Sequence, residues 1–137
     1  MRARGVAQVE LDAVYPAQPA CVGQIRHEVA HTATGCGATR ATIEKIKLAV
    51  SEAATNAVIH AYRDGLPIGD LHVLVRQDDA CLDISIRDSG VGMSPRTDSP
   101  GVGLGLSLMA NLADRLEIKV PAEGGTEIVL RFEVATQ

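Results

Sequence analysis

The spacing of apolar residues changes near residue 63, and this change constrains the fold more than any other feature of the sequence. From Thr39 to about Tyr62, apolar residues recur every three or four positions, which predicts a long amphipathic helix. The residues of this series are Ile43, Ile46, Val50, Ala54, Val58 and Ala61. After a turn at 63–70, LHVLVRQ and CLDISIRD alternate apolar with polar residues, which predicts two antiparallel strands joined at Asp78-Asp79.

The remaining segments complete the set of predicted elements. We expect a first strand over residues 5–15, a helix over 19–34, a third helix over about 104–116 and a last strand over 126–134. Helices and antiparallel strands in one layer each predict a two-layer α/β sandwich. At 137 residues, we expect residues 1–137 to form a single domain with its own core.

Composition excludes several classes of function. Hydrophobic residues make up 46% of the chain and aromatic residues only 2%, so the predicted core is aliphatic and a base-stacking platform for nucleic acid is not expected. A net charge of −4 argues against binding nucleic acid directly. The chain has no apparent signal peptide, no apolar run long enough for a membrane helix and no C-x-x-C pair. We therefore expect a cytoplasmic protein that does not enter the membrane.

The pentapeptide HEVAH, residues 27–31, has the spacing of the zinc-protease helix motif. His27 and His31 would lie one turn apart, and Glu28 could activate a metal-bound water. A catalytic zinc needs a third protein ligand, and only His60 and His72 remain as histidine candidates. We therefore favour two polar residues on an amphipathic helix over a zinc hydrolase.

The second half of the long helix reads SEAATNAVIHAY, residues 51–62, and places Glu52, Asn56 and His60 on nearly one face. The carboxylate and the carboxamide offer oxygens to a hard cation such as Mg²⁺, or to a hydroxyl nucleophile. The alternative interpretation is a helix face that is simply exposed to solvent.

Two glycine-containing segments follow. Asp88 ends a strand directly before Ser89-Gly90-Val91-Gly92, so its carboxylate could accept a hydrogen bond from a ligand amino group, although an ordinary turn would look the same. Further on, Gly101, Gly103 and Gly105 precede a helix, an arrangement that favours phosphate. The segment is neither a dinucleotide fingerprint nor a Walker motif.

The order of these segments resembles the GHKL ATPase superfamily, which includes gyrase, histidine kinases and mismatch-repair ATPases. The shared pattern is E-x-x-x-N on a helix, strand–D-x-G-x-G, G-x-G-x-G–helix, and GGT before a strand, over roughly residues 39–134. The resemblance implies the Bergerat ATP-binding fold, a mixed and mostly antiparallel sheet with helices on one face. Within the superfamily, LAVSEAATNAVIHAY (48–62) is most similar to bacterial anti-sigma factors that are serine/threonine kinases.

The resemblance implies a role for each matching residue. Glu52 would be the general base, Asn56 the Mg²⁺ ligand and Asp88 the acceptor for the adenine amino group. Thr126 would touch adenine, and Arg96, in a short lid over 93–100, would contact the γ-phosphate. The other expected ATP contacts are Gly90, Gly92, Met93, Gly101, Val102, Gly103, Leu104 and Gly105.

The resemblance also implies partners. The substrate would be an anti-anti-sigma protein of the STAS class, the other partner would be a sigma factor, and the chain would form a homodimer with the first helix, 20–34, as the contact surface. Phosphorylation of His27, as in histidine kinases, is not expected, because only 26 residues precede it in this sequence, too few for a dimerisation hairpin. A domain that binds ATP and a regulator without phosphotransfer stays open as the alternative function.

Overall fold

The computed structural model describes residues 8–61, 69–88, 102–120, 122 and 124–134. The strands within this part are β1 (Gln8–Pro16), β2 (Asp70–Asp78), β3 (Cys81–Asp88), β4 (Arg115–Lys119) and β5 (Thr126–Glu133). The helices are α1 (Cys21–Gly35), α2 (Arg40–Ala61) and α3 (Val102–Leu112). The predicted segments around the first two helices, the hairpin and the last strand are confirmed to within a few residues.

The five strands form one sheet in the order β1-β2-β3-β5-β4, and every described pairing is antiparallel. Alternate residues of the central strands point to one face of this sheet and are buried there. These residues are Leu71, Val73, Val75, Leu82, Ile84, Ile86, Ile128, Leu130 and Phe132. The helices cover this inner face, so the predicted two-layer α/β architecture with helices on one side is confirmed.

Helix α2 packs on the inner face through small and branched aliphatic side chains. Thr39 caps its N-terminus, as its hydroxyl oxygen accepts a hydrogen bond from the Thr42 backbone N–H at 3.2 Å. The side chains of Ile46, Val50 and Ala54 have no exposed surface. The 3.6-residue period of the sequence thus selects the face that enters the core.

The outer face of the sheet carries charged pairs instead of a second layer of helices. The Arg131 guanidinium donates two hydrogen bonds to the Asp83 carboxylate, at 2.8 and 2.9 Å. These hydrogen bonds raise the pKa of Arg131 above its usual range. Ser85 donates to Glu127 on the neighbouring strand at 2.5 Å. This alternation of apolar inner and polar outer residues is expected for an antiparallel sheet covered on one side.

The third predicted helix, over about 104–116, is present, but it begins two residues earlier and ends four residues earlier than predicted. Helix α3 begins at Val102 and ends at Leu112, and Arg115–Lys119 is a strand that the sequence did not predict. The contacts of Asp114 explain why the helix ends at Leu112. The Asp114 carboxylate accepts a hydrogen bond from the Glu133 N–H, and the Asp114 N–H donates one to the Arg131 carbonyl, both at 2.8 Å. These two contacts fasten the end of the helix to β5, so the chain turns and pairs as β4.

A partly buried hydrogen bond joins β1 to α1. The Tyr15 side chain is 6% exposed, and its hydroxyl donates to the Glu28 carboxylate. Burial first, and then the hydrogen bond and the charge of Glu28, raise the pKa of Tyr15 above its ordinary value. The tyrosine therefore stays neutral in the folded protein through the physiological range and beyond it.

We predict that Tyr15→Phe lowers the free energy of unfolding by about 1 kcal/mol at pH 7, because the partly buried hydrogen bond to Glu28 is lost. The pKa of Tyr15 is raised on folding, so its contribution is complete below pH 10 and declines as the pH rises above it. Urea unfolding of both proteins between pH 7 and 11 measures this. Equal stabilities at every pH would show that the hydrogen bond contributes nothing.

Candidate functional site

The polar residues singled out in the sequence gather at one end of the sheet. Asp88, the last residue of β3, pairs with Leu71 of β2 and with Thr126 of β5. We call this the Asp88 end of the sheet. The opposite end, where Gln77 pairs with Leu82, is the Gln77 end.

Helix α2 runs from the Gln77 end towards the Asp88 end. The Gln77 side-chain amide donates to the Cys36 carbonyl at 3.4 Å, which places the turn between α1 and α2 at the Gln77 end. At about 1.5 Å per residue, Asn56 lies about 24 Å along α2 from Arg40. At about 3.4 Å per residue, Asp88 lies about 24 Å along β3 from Cys81. The E-x-x-x-N segment therefore occupies the part of α2 that crosses the Asp88 half of the sheet.

Helix α3 begins at the same end. A short turn after Leu112 leads into β4, whose first residue, Arg115, pairs with Arg131 and whose last, Lys119, pairs with Glu127 beside Thr126. The strand thus returns to the Asp88 end, and α3 must run away from it. The first four N–H groups of α3 lack partners within the helix and lie near the Asp88 end, where they can receive an anion.

Asp88 and Thr126 are the two buried polar residues of the described core. Their side chains are 7% and 4% exposed, against neighbours on the inner face that are purely aliphatic. Both make interactions within the protein. A carboxylate and a hydroxyl paired in register at the end of a sheet can present hydrogen-bonding groups to a ligand that reaches between the helices and the sheet.

Gly125 fixes the spacing between these two residues. Its φ of +84° lies in the left-handed region, and a Cβ at this position would stand 2.2 Å from the Asp88 carbonyl oxygen. Only glycine fits both constraints. Within the GGT segment, the backbone of Gly125 therefore packs directly against the backbone of Asp88, and this contact sets Thr126 beside Asp88. The sequence analysis did not assign this role to Gly125.

Glu52 and Asn56 lie at the border of the buried face of α2. Both side chains are half-buried, whereas Ala53 and Ala57, the residue that follows each of them, face the core. Because the neighbouring core residues are alanines, α2 can pack close to the sheet while its polar border reaches solvent. The carboxylate and the carboxamide are thus partly accessible from solvent.

Several predicted contacts lie outside the residues that the structure describes. These are Gly90, Gly92, Met93, Arg96 and Gly101, together with the lid over 93–100. Val102, Gly103, Leu104 and Gly105 form the first turn of α3. Gly103 therefore lies inside the helix, which begins two residues before the predicted start near Leu104, and Gly103 and Gly105 supply N-terminal N–H groups of the helix itself.

The HEVAH residues are arranged differently from a zinc-protease motif. Glu28 accepts the Tyr15 hydroxyl on the side of α1 that faces β1, while His27 and His31 are exposed. No group of three histidine, cysteine, aspartate or glutamate side chains within the described ranges is placed to hold a metal.

Two concave regions lie away from the Asp88 end. One, of about 360 Å³, lies between α1 and α2 and includes His27, His31 and Lys47. The other, of about 290 Å³, lies on the outer face of the sheet around Asp83 and Arg131. Neither region is lined by Glu52, Asp88 or Thr126. The candidate site is therefore defined by the helices and strands that meet at the Asp88 end, and not by these two concave regions.

The fold and the arrangement of the site identify the class of protein. Residues 15–132 match the histidine kinase-like ATPase domain family, and the chain belongs to this family. It is 36% identical over 131 residues to the serine-protein kinase RsbW of Bacillus velezensis, with 84% of this chain and 79% of that protein covered. It is 34% identical over 103 residues to the anti-sigma F factor of Bacillus cytotoxicus, with 67% and 70% covered.

A solved structure has the same fold. The RsbU and RsbW domains of Rv1364c from Mycobacterium tuberculosis superpose with a TM-score of 0.70 at 24% sequence identity. The match covers 90% of this chain and 31% of that longer one. In the described part of this chain, no helix is long and apolar enough to cross a bilayer.

We predict that Gly125→Ala lowers the free energy of unfolding by more than about 2 kcal/mol, because the methyl group meets the Asp88 carbonyl. Gly37→Ala is the matched control, since Gly37 also has a positive φ, +95°, but open space around it. The control should cost only about 1 kcal/mol of backbone strain. Urea denaturation that gave equal losses for the two variants would contradict the close contact.

Proposed function

We propose that this chain is an anti-sigma factor with ATP-dependent serine/threonine protein kinase activity. The observation that carries the proposal is the convergence of E-x-x-x-N on α2, the Asp88–Thr126 pair and the N-terminus of α3 at one end of the sheet. Relatives named serine-protein kinase RsbW and anti-sigma F factor support the same activity. We also propose that residues 1–137 act as one ATPase domain in the cytoplasm.

The Asp88 end fits an adenine nucleotide. The buried Asp88 carboxylate would accept the hydrogen bond of the adenine amino group, and the buried Thr126 hydroxyl would contact the same ring. The absence of a side chain at Gly125 lets its backbone pack against the Asp88 carbonyl, which holds Asp88 and Thr126 side by side. The free N–H groups of the first turn of α3, from Val102 to Gly105, would hold the phosphates together with Gly101. Gly90, Gly92, Met93 and Arg96 complete the proposed set of contacts.

Asn56 is the proposed Mg²⁺ ligand. Its half-buried carboxamide supplies one hard oxygen, and Mg²⁺ bound by a single protein side chain retains water and phosphate oxygens as its other ligands. When bound, the ion would neutralise charge that develops on the phosphates during transfer. In the described chain, no side chain near Asn56 other than Glu52 adds a carboxylate on this face of α2, so the site relies on the nucleotide for most of its anionic ligands.

Glu52 is the proposed general base. Its half-buried carboxylate would accept the proton of the substrate hydroxyl while the hydroxyl oxygen forms a bond to the γ-phosphorus. The bond from that phosphorus to the β,γ-bridging oxygen breaks, and ADP leaves. Positioning and charge neutralisation contribute most of the acceleration in phosphoryl transfer, so this small set of groups is sufficient.

The proposed substrate is a serine or threonine of an anti-anti-sigma protein of the STAS class. Phosphorylation of this antagonist would leave the kinase free to sequester a sigma factor, and the dephosphorylated antagonist would displace it. We further propose that the kinase is a homodimer that contacts its second copy through α1.

The second candidate function is a module that binds ATP and a regulator without phosphotransfer. Glu52 distinguishes the two functions, because a carboxylate one turn before the metal ligand has no role in nucleotide binding alone.

We predict that Glu52→Gln lowers the rate of phosphate transfer to the STAS protein by at least about 100-fold, because the base is lost. The affinity for ADP should change less than about twofold, since the amide is nearly the same size. Transfer of label from [γ-³²P]ATP and calorimetry measure the two quantities. If Glu52→Gln transfers phosphate as fast as the unaltered chain, Glu52 is not the general base. If the unaltered chain transfers no phosphate, the result favours the module that binds ATP and a regulator without phosphotransfer.

A further inference from the structure

The charged and titratable side chains that line the concave region between α1 and α2 are all cations or histidines. Arg26, His27 and His31 belong to α1, and Lys47 belongs to α2. No carboxylate among the described residues lines this region, which has a volume of about 360 Å³. The chain as a whole has a net charge of −4, so the region is opposite in charge to the chain that forms it. We call it the α1–α2 groove.

The cationic groups of the α1–α2 groove make few interactions within the described chain. The Arg26 guanidinium donates a hydrogen bond to the Ser51 hydroxyl at 3.3 Å, which holds it between the two helices and leaves its other N–H donors for a ligand. Lys47 approaches Glu44 at 3.5 Å, but both side chains are exposed, so this ion pair contributes little. The two histidines make no hydrogen bond or ion pair with the described residues.

The floor of the α1–α2 groove is apolar. Gly23, Ala30 and Ile43 belong to its lining, and Ala30 is buried and Ile43 half-buried, whereas the cationic side chains of α1 are exposed. From Gly23 to Thr34, the lining extends about 16 Å along the axis of α1. The groove therefore offers an apolar floor with cations along its rim over about three turns of helix.

We propose that the α1–α2 groove binds an acidic segment of a partner protein. The carboxylates of the segment contact the cationic rim, and an apolar side chain of the segment covers the floor. Carboxylates spaced along one chain match cations that are spread along α1 and continue on α2, and such complementary charge directs association and specificity. This interaction lies outside the nucleotide site and does not rest on the proposed kinase activity.

Other anionic ligands fit the α1–α2 groove less well. A nucleic-acid duplex is too wide for a groove of about 360 Å³, and a bilayer surface is too flat to reach the buried Ala30. Single-stranded nucleic acid stacks its bases on aromatic side chains, and the described lining contains none. A single phosphate ion would contact only part of the length of the groove. A protein segment is therefore the ligand that uses both the floor and the rim.

The test begins with a library of short random peptides displayed on phage and selected for binding to the full chain. A variant that carries both Arg26→Gln and Lys47→Gln removes the peptides that bind elsewhere. Glutamine is a good helix former, so this double variant should fold, as far-UV circular dichroism and urea unfolding can confirm. Lys45→Gln is the matched control, because Lys45 is exposed on the same helix but does not line the groove.

We expect the selected peptides to be enriched in aspartate and glutamate beside apolar residues. A synthetic peptide of the most enriched sequence, titrated by calorimetry, should bind the unaltered chain one to one. The double variant should bind this peptide at least about tenfold more weakly, because two cations that face its carboxylates are lost. Lys45→Gln should change the affinity less than about twofold.

Three results of these measurements would overturn the proposal. The first is a selection that yields no peptide, or peptides without an excess of acidic residues. The second is equal affinity of the double variant and the Lys45→Gln control for the synthetic peptide. The third is displacement of the peptide by an equal concentration of inorganic phosphate, because the groove would then be a site for a small anion.

Sedimentation of the unaltered chain and the double variant distinguishes a different partner from a second copy of this chain. Both proteins should have the same oligomeric state, because the other border of α1, on which Gln24 and Glu28 lie, stays available for the proposed homodimer. A dimer that dissociates in the double variant would overturn the proposal. Calorimetry with ADP tests the nucleotide site separately: if the unaltered chain binds no ADP, the proposed function fails and the result for the groove is unaffected.

Discussion

The packing of α2 on the sheet is the contact on which the rest of the structure depends. Alanines at positions 49, 53, 54 and 57 bring the helix axis close to the apolar inner face, and all four are buried. The same helix contacts α1, α3, β3 and β5. Because its buried and polar faces are fixed by one helical period, the packing that forms the core also sets the orientation of Glu52 and Asn56. A change that rotated α2 would move both of them.

The second half of the site is held by backbone geometry and not by side-chain packing. Gly125 lies against the carbonyl of Asp88, and the pairing of Asp88 with Thr126 continues this contact into the sheet. These residues are nearly forty positions apart in the sequence, and β3 and β5 are joined through α3 and β4. A nucleotide bound at this end would therefore contact segments from most of the chain, so its binding should stabilise the fold as a whole.

The sequence predicted most elements correctly because their hydrophobic periods are clear. The alternation in β2 and β3 and the three-to-four period of α2, which begins at Thr39, leave little ambiguity. Strand β4 was missed because RLEIK is short and its pairing with β5 depends on Asp114, whose contacts are distant in sequence. The glycine doublet before the last strand is visible in the sequence. The contact of Gly125 with Asp88, however, follows only from the register in which β3 pairs with β5.

Calorimetric titration with ADP, with and without Mg²⁺, tests the central claim most directly, namely that the Asp88 end of the sheet is a Mg²⁺-dependent nucleotide site. The account predicts that the unaltered chain binds one ADP more tightly with Mg²⁺, that Asn56→Ala abolishes this Mg²⁺ dependence, and that Asp88→Asn weakens binding under both conditions. Zinc without nucleotide is the control for the HEVAH histidines. No binding of ADP by the unaltered chain, or a stoichiometric zinc signal in its place, would contradict the account.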